Sequence, residues 1–273
     1  MKTPIVVPIV VLVLAGVGCG GDGGSPTSGT PTVNSVSLSP ATDMIRIRGN
    51  HTFAMTANYS NGSSGSVQGT WSSSNSNVAS VDGNGMVTGI SSGSTTVTGQ
   101  HQGVSGTQTL RVVPDYHGRW NGDWQVKSCS ATGGFVGICE DEFPPGELIG
   151  LTLNATQARD TITGTTDFGD DLPGPVTGVI ATNGHLAVSG TYAVTVEGLA
   201  FEVTVSDWDT NTTDNQTLTG SFRITFRVAG LQGNLQVNGD VRVVTKVSST
   251  PSAVGSTRGV HGLLSAIAKS RRP

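Results

Sequence analysis

The chain has 273 residues, of which only 12% are charged and 5% are aromatic, and it contains 39 glycines. Its length suffices for two modest domains or one large all-β domain, and its formal net charge of −4 excludes the basic surface typical of nucleic-acid binding. Few charges, many glycines and abundant Ser, Thr, Val and Asn favour many short strands joined by tight turns.

The first segment, residues 1–18, has the features of a secretory signal. Lys2 precedes a short apolar run, and small residues then lead to Cys19. Two prolines interrupt the run, which is too short to span a ~30 Å hydrocarbon core as a helix. The segment resembles a bacterial lipoprotein signal, although Gly16 stands where such signals usually carry leucine. The resemblance implies that Cys19 is lipidated and begins the mature protein; ordinary secretion is the alternative.

Residues 19–32 are predicted to form a flexible tether. They are mostly Gly, Ser, Thr and Pro, with a single charge at Asp22, and they offer nothing that could be buried. With acyl chains on Cys19, the tether would hold the folded part away from the membrane. The expected location is therefore outside the cytoplasm, anchored by lipid in the outer membrane or at the cell surface of a bacterium.

Residues 33–113 show short alternating segments between turn residues, a pattern typical of half-buried antiparallel strands. About seven such strands in ~80 residues predict an immunoglobulin-like sandwich. Four motifs follow one another here: WSSSN from Trp71, VASV from Val78, GMVTG from Gly85 and GSTTV from Gly93. In this order they resemble the bacterial Ig-like domain, group 2, which implies a spacer or adhesive module. Trp71 is the expected core anchor; exposure at an interface is the alternative.

The three cysteines divide into Cys19 of the signal and the pair Cys129 and Cys139. In an oxidising exterior, such a pair is expected to form a disulfide. Closing so small a loop would contribute roughly 2–3 kcal/mol on the chain-entropy model. A metal site is disfavoured because the two thiols lack nearby histidines, the closest being His117.

Residues 114–249 contain further alternating segments, and we count about eight candidate strands, enough to close a small antiparallel barrel. The clearest segments are Leu148–Ala155, Leu186–Val196, Phe201–Val205, Phe222–Val228 and Leu235–Val247. Recurring glycines suit strands that bend as a sheet closes. A second open sandwich is the alternative.

The tripeptide Gly118-Arg119-Trp120 begins the first of these strands and resembles the G-x-W signature of lipocalins. The resemblance implies that Trp120 plugs the closed end of the barrel, beneath a late-strand arginine for which Arg242 is one candidate. It also implies an open end that could admit a small apolar ligand. The alternative is a barrel filled by its own side chains.

The sequence Asp207–Asn211, with Asp214 nearby, resembles the start of a calcium loop. Thr212 stands where that loop needs glycine, so a plain acidic hairpin loop is favoured. The acidic runs 140–142 and 170–171 are interpreted as solvated loop charges. The sequence shows no catalytic signature, and no enzyme activity, metal or cofactor is expected.

The remaining residues, 250–273, carry apolar side chains at helical spacing and form either a short helix or a frayed tail. The sequence thus predicts an all-β protein: an N-terminal immunoglobulin-like β-sandwich followed by an antiparallel, lipocalin-like β-barrel. The expected function is that of a non-catalytic surface lipoprotein whose spacer presents the barrel for adhesion or cell-envelope interaction. The alternatives are a carrier of a small apolar ligand and, less favoured, a hydrolase.

Overall fold

In a computed structural model of the chain, residues 29–169, 173–196 and 198–247 are described, without the side chains of Val196 and Val243. The signal segment, Cys19, the acidic pair 170–171 and the helical pattern of 250–273 lie outside the described residues. Strands make up 65% of the structure and there is one short α-helix in the described residues, which confirms the predicted all-β class. Within these ranges, no helix has the length and apolar character needed to cross a membrane.

The N-terminal part is built from ten short strands in three small sheets, with the orders β1-β4-β5, β2-β10-β9-β6 and β3-β8-β7. The sequence predicts about seven strands. The structure has more strands than predicted because β2, β3 and β7 have only three residues each, which is too few to show an alternating pattern. The strands are β1 Val33–Ser39, β2 Met44–Arg46, β3 Asn50–Thr52, β4 Ala54–Tyr59, β5 Ser64–Val67, β6 Thr70–Ser73, β7 Ala79–Val81, β8 Met86–Gly89, β9 Gly93–His101 and β10 Val104–Val113.

Alternate side chains of these strands form the core of the sandwich. Phe53, Val97 and Leu110 are buried there, and Trp71 packs against the cluster while remaining half-buried. The Trp71 indole lies over Gly85, whose φ of +81° is in the left-handed region that favours glycine. A side chain at Gly85 would collide with the indole, so the tight turn and the aromatic residue depend on each other.

The C-terminal part is a closed barrel of eight strands, as predicted, and the structure excludes the open sandwich. Each strand pairs antiparallel with the next, and the first closes on the last. The β11–β12 connection holds the short helix α1 Ile138–Glu142 and a 3-10 turn at Gly133–Phe135. The strands are β11 Gly118–Ala131, β12 Leu148–Ala158, β13 Thr161–Asp167, β14 Gly174–Ile180, β15 Leu186–Val196, β16 Leu199–Asn211, β17 Thr217–Val228 and β18 Leu235–Val247.

Bulges and glycines bend the strands so that the sheet can close. The β17–β18 register shifts between Leu218 and Gly220, and Gly220 takes a φ of +145° at the shift. Gly239 faces the interior, where a Cβ would collide with the indole of Trp124. Further shifts interrupt β11 beside Val126 and β16 after Ser206. Bulges of this kind increase local twist and curvature.

An aromatic cluster fills the middle of the barrel. The ring of Phe222 lies 5.1 Å from those of Trp124 and Trp208 and 5.3 Å from that of Phe168, measured between centroids. All four side chains are buried. Aromatic pairs at such distances add about 0.5–1.5 kcal/mol beyond the burial of their surface. At this level the barrel is packed by its own side chains.

Candidate functional site

The barrel has two different ends, and Trp120 lies at the end near the sandwich. Its side chain is fully buried, and its indole N–H donates a hydrogen bond of 2.8 Å to the Tyr116 carbonyl. The Lys246 ammonium lies 5.3 Å from the Trp120 ring centroid, in cation–π geometry. The sequence offered Arg242 for this position, but Arg242 is exposed. Lys246 takes the role because the β11–β18 register places it directly opposite Trp120.

The same end of the barrel is joined to the sandwich by buried and half-buried polar contacts. The Asn215 side chain, in the β16–β17 hairpin, donates to the Ile47 carbonyl at 3.1 Å and accepts the Asp115 N–H at 3.0 Å. Arg111 of β10 pairs with Asp160 at 3.0 Å, between Nη1 and Oδ2. Its Nη2 also donates to two carbonyls at the end of β14. We call these contacts, with the three ion pairs described next, the joint.

Three ion pairs complete the joint. The Asp115 carboxylate lies 3.2 Å from Arg46 of the sandwich and 3.0 Å from Lys246 of the barrel. Arg159, in the β12–β13 hairpin, pairs with Asp43 just before β2. Three barrel hairpins therefore contact the sandwich. Asn215 is buried, Arg111 and Lys246 are half-buried, and the exposed Arg159–Asp43 pair contributes little, so the Asn215 and Arg111 hydrogen bonds carry most of the joint's specificity.

The far end of the barrel is covered by the β11–β12 connection, which carries the predicted disulfide. Cys129 and Cys139 are bonded, with an S–S distance of 2.08 Å. Phe135 and Phe143 of this connection are buried, and the Phe143 ring stacks on Phe226 with centroids 6.3 Å apart. The disulfide therefore ties a short covering segment to the end of β11.

This far end also presents side chains to the solvent. Val136 and Leu148 are 73% and 49% exposed, which is unusual for aliphatic residues. The acidic run 140–142, interpreted from sequence as a loop, lies on α1 instead, with Glu140 and Asp141 exposed. The surface here thus combines apolar and acidic groups.

The calcium-like motif is not a loop, which corrects the interpretation as a hairpin loop. Asp207 and Asp209 belong to strand β16, where Asp207 pairs with Arg223 at 2.6 Å and Asp209 with His185 at 2.7 Å. Only Asp214 lies in the hairpin. Across the described ranges, no three His, Cys, Asp or Glu side chains are grouped so that they could hold a metal ion.

Asp214 instead stabilises the β16–β17 hairpin. Its carboxylate accepts the backbone N–H groups of Gln216 and Thr217, each at 2.8 Å, and the Thr212 hydroxyl at 3.0 Å. These hydrogen bonds lower the pKa of Asp214 to about 2, and the two from backbone N–H groups have the largest effect. The hairpin that Asp214 orders is the one that carries Asn215 into the joint.

Sequence reasoning placed Trp120 and the cysteine pair in the barrel but missed the joint. Arg111, Asn215 and Asp160 are far apart in sequence, and Asn and Asp are common in turns whether or not they have a distant partner. One signal was available: Asn215 follows Asp214 in a Thr- and Asp-rich turn, and such turns set the ends of barrel strands. The partner of each residue, however, depends on the tertiary fold.

Comparison with known proteins identifies part of the chain. Residues 32–112 match the family model of the bacterial Ig-like domain (group 2), which confirms the resemblance seen in the motifs. A search of curated proteins found no match.

Two solved structures show some likeness. Domains 5–6 of the S-layer protein SbsC are 15% identical, with 77% of this chain and 98% of that chain covered and a TM-score of 0.28. Domains 4–9 of the surface layer protein SbsC are 16% identical, with 77% of this chain and 31% of that chain covered, also at 0.28. These TM-scores are too low to indicate a shared overall fold.

Proposed function

We propose that the protein is a non-catalytic bacterial surface lipoprotein in which the Ig-like part is a spacer and the barrel is the interacting domain. The observation that carries this proposal is the joint, because the hydrogen bonds of Asn215 and Arg111 connect the barrel to one end of the sandwich. A spacer can present a second domain in a defined direction only if the two are rigidly connected. The match of residues 32–112 to a bacterial Ig-like family supports the bacterial surface.

The course of the chain supports an end-to-end arrangement. Strand β1 runs from Val33 towards Asp43, which contacts the barrel through Arg159. Val33, where the tether enters, is therefore at the end of the sandwich remote from the barrel. An anchor at Cys19 would leave the far end of the barrel as the part most distant from the membrane.

Two features favour this role over the alternatives. A disulfide between Cys129 and Cys139 suits an oxidising compartment outside the cytoplasm. The aromatic cluster around Phe222 packs the middle of the barrel and favours a recognition domain over a carrier of apolar ligands.

Metabolic labelling with a palmitate analogue, followed by membrane fractionation, tests the anchor. We expect label on the wild-type protein in the membrane fraction, and neither label nor membrane retention for Cys19→Ala. The matched control is the double variant Cys129→Ser and Cys139→Ser, which removes two cysteines but keeps the anchor and should stay labelled. An unlabelled wild-type protein in the cytosol would contradict the proposal.

Surface exposure is tested separately by adding protease to intact cells. We expect the barrel to be digested on intact cells while a cytosolic marker protein survives. Protection of the barrel until the envelope is broken would show that it faces the periplasm, and the surface role would then be wrong.

A further inference from the structure

A polar groove of about 430 Å³ lies on the outer face of the barrel, across the neighbouring strands β11, β18, β17 and β16. It is on the side wall, shares no residue with the joint, and includes Ser128, the neighbour of the disulfide-bonded Cys129. Its polar lining consists of Lys127, Ser128, Asp207, Ser221, Arg223 and Asn238. A volume of this size falls within the range of about 300–1,000 Å³ usual for small-molecule sites.

A chain of hydrogen bonds crosses the groove from strand to strand. The Asn238 amide donates to the Ser128 hydroxyl at 2.9 Å, and its carbonyl oxygen accepts Arg223 Nε–H, also at 2.9 Å. Arg223 Nη1 then pairs with the Asp207 carboxylate at 2.6 Å. One side chain from each of four strands is thereby held in a single geometry. Such preorganisation lowers the conformational entropy that a ligand would otherwise have to remove on binding.

The groove is bordered on both sides by interruptions of the regular ladder. Lys127 sits at the β11 register shift, between Val126 and Ser128, and Asp207 sits at the β16 shift that follows Ser206. Asp207 also has a φ of +50°, which is uncommon for a residue other than glycine. Bulges redirect side chains and occur often beside functional sites. Here a bulge turns the Asp207 carboxylate towards Arg223.

The charges of the groove cancel. Arg223 is paired with Asp207, and Lys127 lies 3.4 Å from Asp240. These side chains remain accessible, since Lys127 is 64% and Asp207 59% exposed. The groove is therefore neutral but rich in both donors and acceptors. A guanidinium has five N–H donors on three nitrogens. In Arg223, Nε is engaged by Asn238 and Nη1 by Asp207.

We propose that this groove binds a neutral saccharide. Every sugar hydroxyl both donates and accepts a hydrogen bond, so it needs the mixture of guanidinium, amide, hydroxyl and carboxylate groups found here. Arg223 and Lys127 are each already paired with a carboxylate, so the groove offers an anionic ligand no unpaired cation. An apolar ligand would remove these polar groups from water without offering them a hydrogen bond, which is unfavourable. This inference rests on the proposed surface role and names the class of partner.

The test is calorimetric titration of the purified full chain with neutral tetrasaccharides of glucose, mannose and N-acetylglucosamine, and with a heparin tetrasaccharide as the anionic probe. We expect at least one neutral tetrasaccharide to bind and heparin not to bind. Arg223→Gln should weaken binding about tenfold or more, because it removes charge-assisted hydrogen bonds. The matched control is Arg227→Gln, which changes an outward arginine on the same strand that pairs with Glu202 outside the groove; its affinity should stay within about twofold of the wild type.

A second variant keeps the test informative if Arg223→Gln fails to fold. Ser221→Tyr places a bulky side chain in the groove from a half-buried outer position and should abolish binding. The inference is wrong if the wild type binds no neutral tetrasaccharide, if heparin alone binds, or if Arg227→Gln weakens binding as much as Arg223→Gln. Labelling and fractionation of the same protein distinguish the saccharide proposal from the lipoprotein proposal. A lipidated, membrane-bound protein that binds no saccharide would contradict only the saccharide proposal.

Discussion

Burial changes the acid–base chemistry of two tyrosines in the barrel. It raises the pKa of Tyr192 to about 12, with a smaller contribution from the Asp167 carboxylate. Burial likewise raises the pKa of Tyr116, whose hydroxyl donates to the Gly184 carbonyl at 2.8 Å. In both cases the low-polarity surroundings disfavour the phenolate. Both side chains therefore favour folding only while they are neutral.

The raised pKa of Tyr192 predicts a loss of stability in alkali. In the unfolded chain a tyrosine ionises near pH 10, whereas the folded protein keeps this proton up to about pH 12. The contribution is thus fully present below about pH 10 and is lost as pH rises towards 12. We expect Tyr192→Phe to lose less unfolding free energy than the wild type between pH 8 and pH 11, as measured by urea denaturation. Tyr59→Phe in the sandwich is the control, and equal losses in Tyr192→Phe and wild type would contradict the prediction.

The two tryptophans that the sequence singles out as core anchors differ in burial, and their substitutions should differ accordingly. Trp120 is fully buried and hydrogen-bonded, whereas Trp71 is half-buried. We expect Trp120→Ala to lower the unfolding free energy of the barrel by about 3–5 kcal/mol. Trp71→Ala should cost the sandwich less. Guanidinium denaturation followed by circular dichroism measures both, and Trp120→Phe, which keeps part of the packing, should fall between wild type and Trp120→Ala. Equal losses of unfolding free energy in the two alanine variants would contradict this prediction.

At the scale of elements, the β11–β12 connection is the clearest case of a segment held by a few strong contacts. Its residues form only a 3-10 turn and the five-residue helix α1, neither of which is stable alone. Burial of Phe135 and Phe143 and the disulfide from Cys139 to β11 hold it in place. The covering of the far end therefore depends on tertiary contacts and a covalent link.

Removing the disulfide should loosen this covering segment without unfolding the sandwich. The double variant Cys129→Ser and Cys139→Ser is expected to lose roughly 2–3 kcal/mol of barrel stability on the chain-entropy model. Hydrogen exchange should speed up at Phe143 and Phe226 but remain unchanged at Val97 in the sandwich. Unchanged exchange at Phe143 would indicate that packing alone holds the segment.

At the scale of the whole molecule, the joint decides whether the sandwich and the barrel move as one body. Arg111 links β10 to Asp160 and to two carbonyls at the end of β14, and Asn215 reaches back to Ile47. These contacts are short in range and directional. They set the angle between the two parts rather than the stability of either.

Loss of Arg111 should therefore loosen the joint while both parts remain folded. We expect Arg111→Ala to broaden the distribution of dimensions in small-angle X-ray scattering and to speed up proteolysis near Pro114. Arg227→Ala, which removes an exposed ion pair elsewhere on the barrel, is the matched control and should behave as wild type. Scattering of Arg111→Ala identical to that of the wild type would show that the Arg111 contacts do not hold the two parts together.

The longer barrel strands and their buried faces can be predicted from the sequence, whereas the three-residue strands β2, β3 and β7 show no local pattern. Leu186–Val196 and Leu235–Val247 were predicted with the bounds that the structure has, because a period of two is a local property of a chain with one buried face. The strands predicted for β16 and β17 were shorter than those in the structure, and this too has a local cause. The alternation breaks at the bulge after Ser206 and at the shift before Gly220, so the predicted segments stopped at Val205 and started at Phe222.

The contacts between side chains, in contrast, depend on the complete fold. Register placed Lys246, not Arg242, over Trp120, and a bulge turned Asp207 away from a calcium loop and towards Arg223. Closure of the barrel, the joint at Arg111 and the groove beside Asn238 all join residues that are distant along the chain. Such pairings depend on strand register and on the packing of the whole barrel, and no short segment of sequence contains that information.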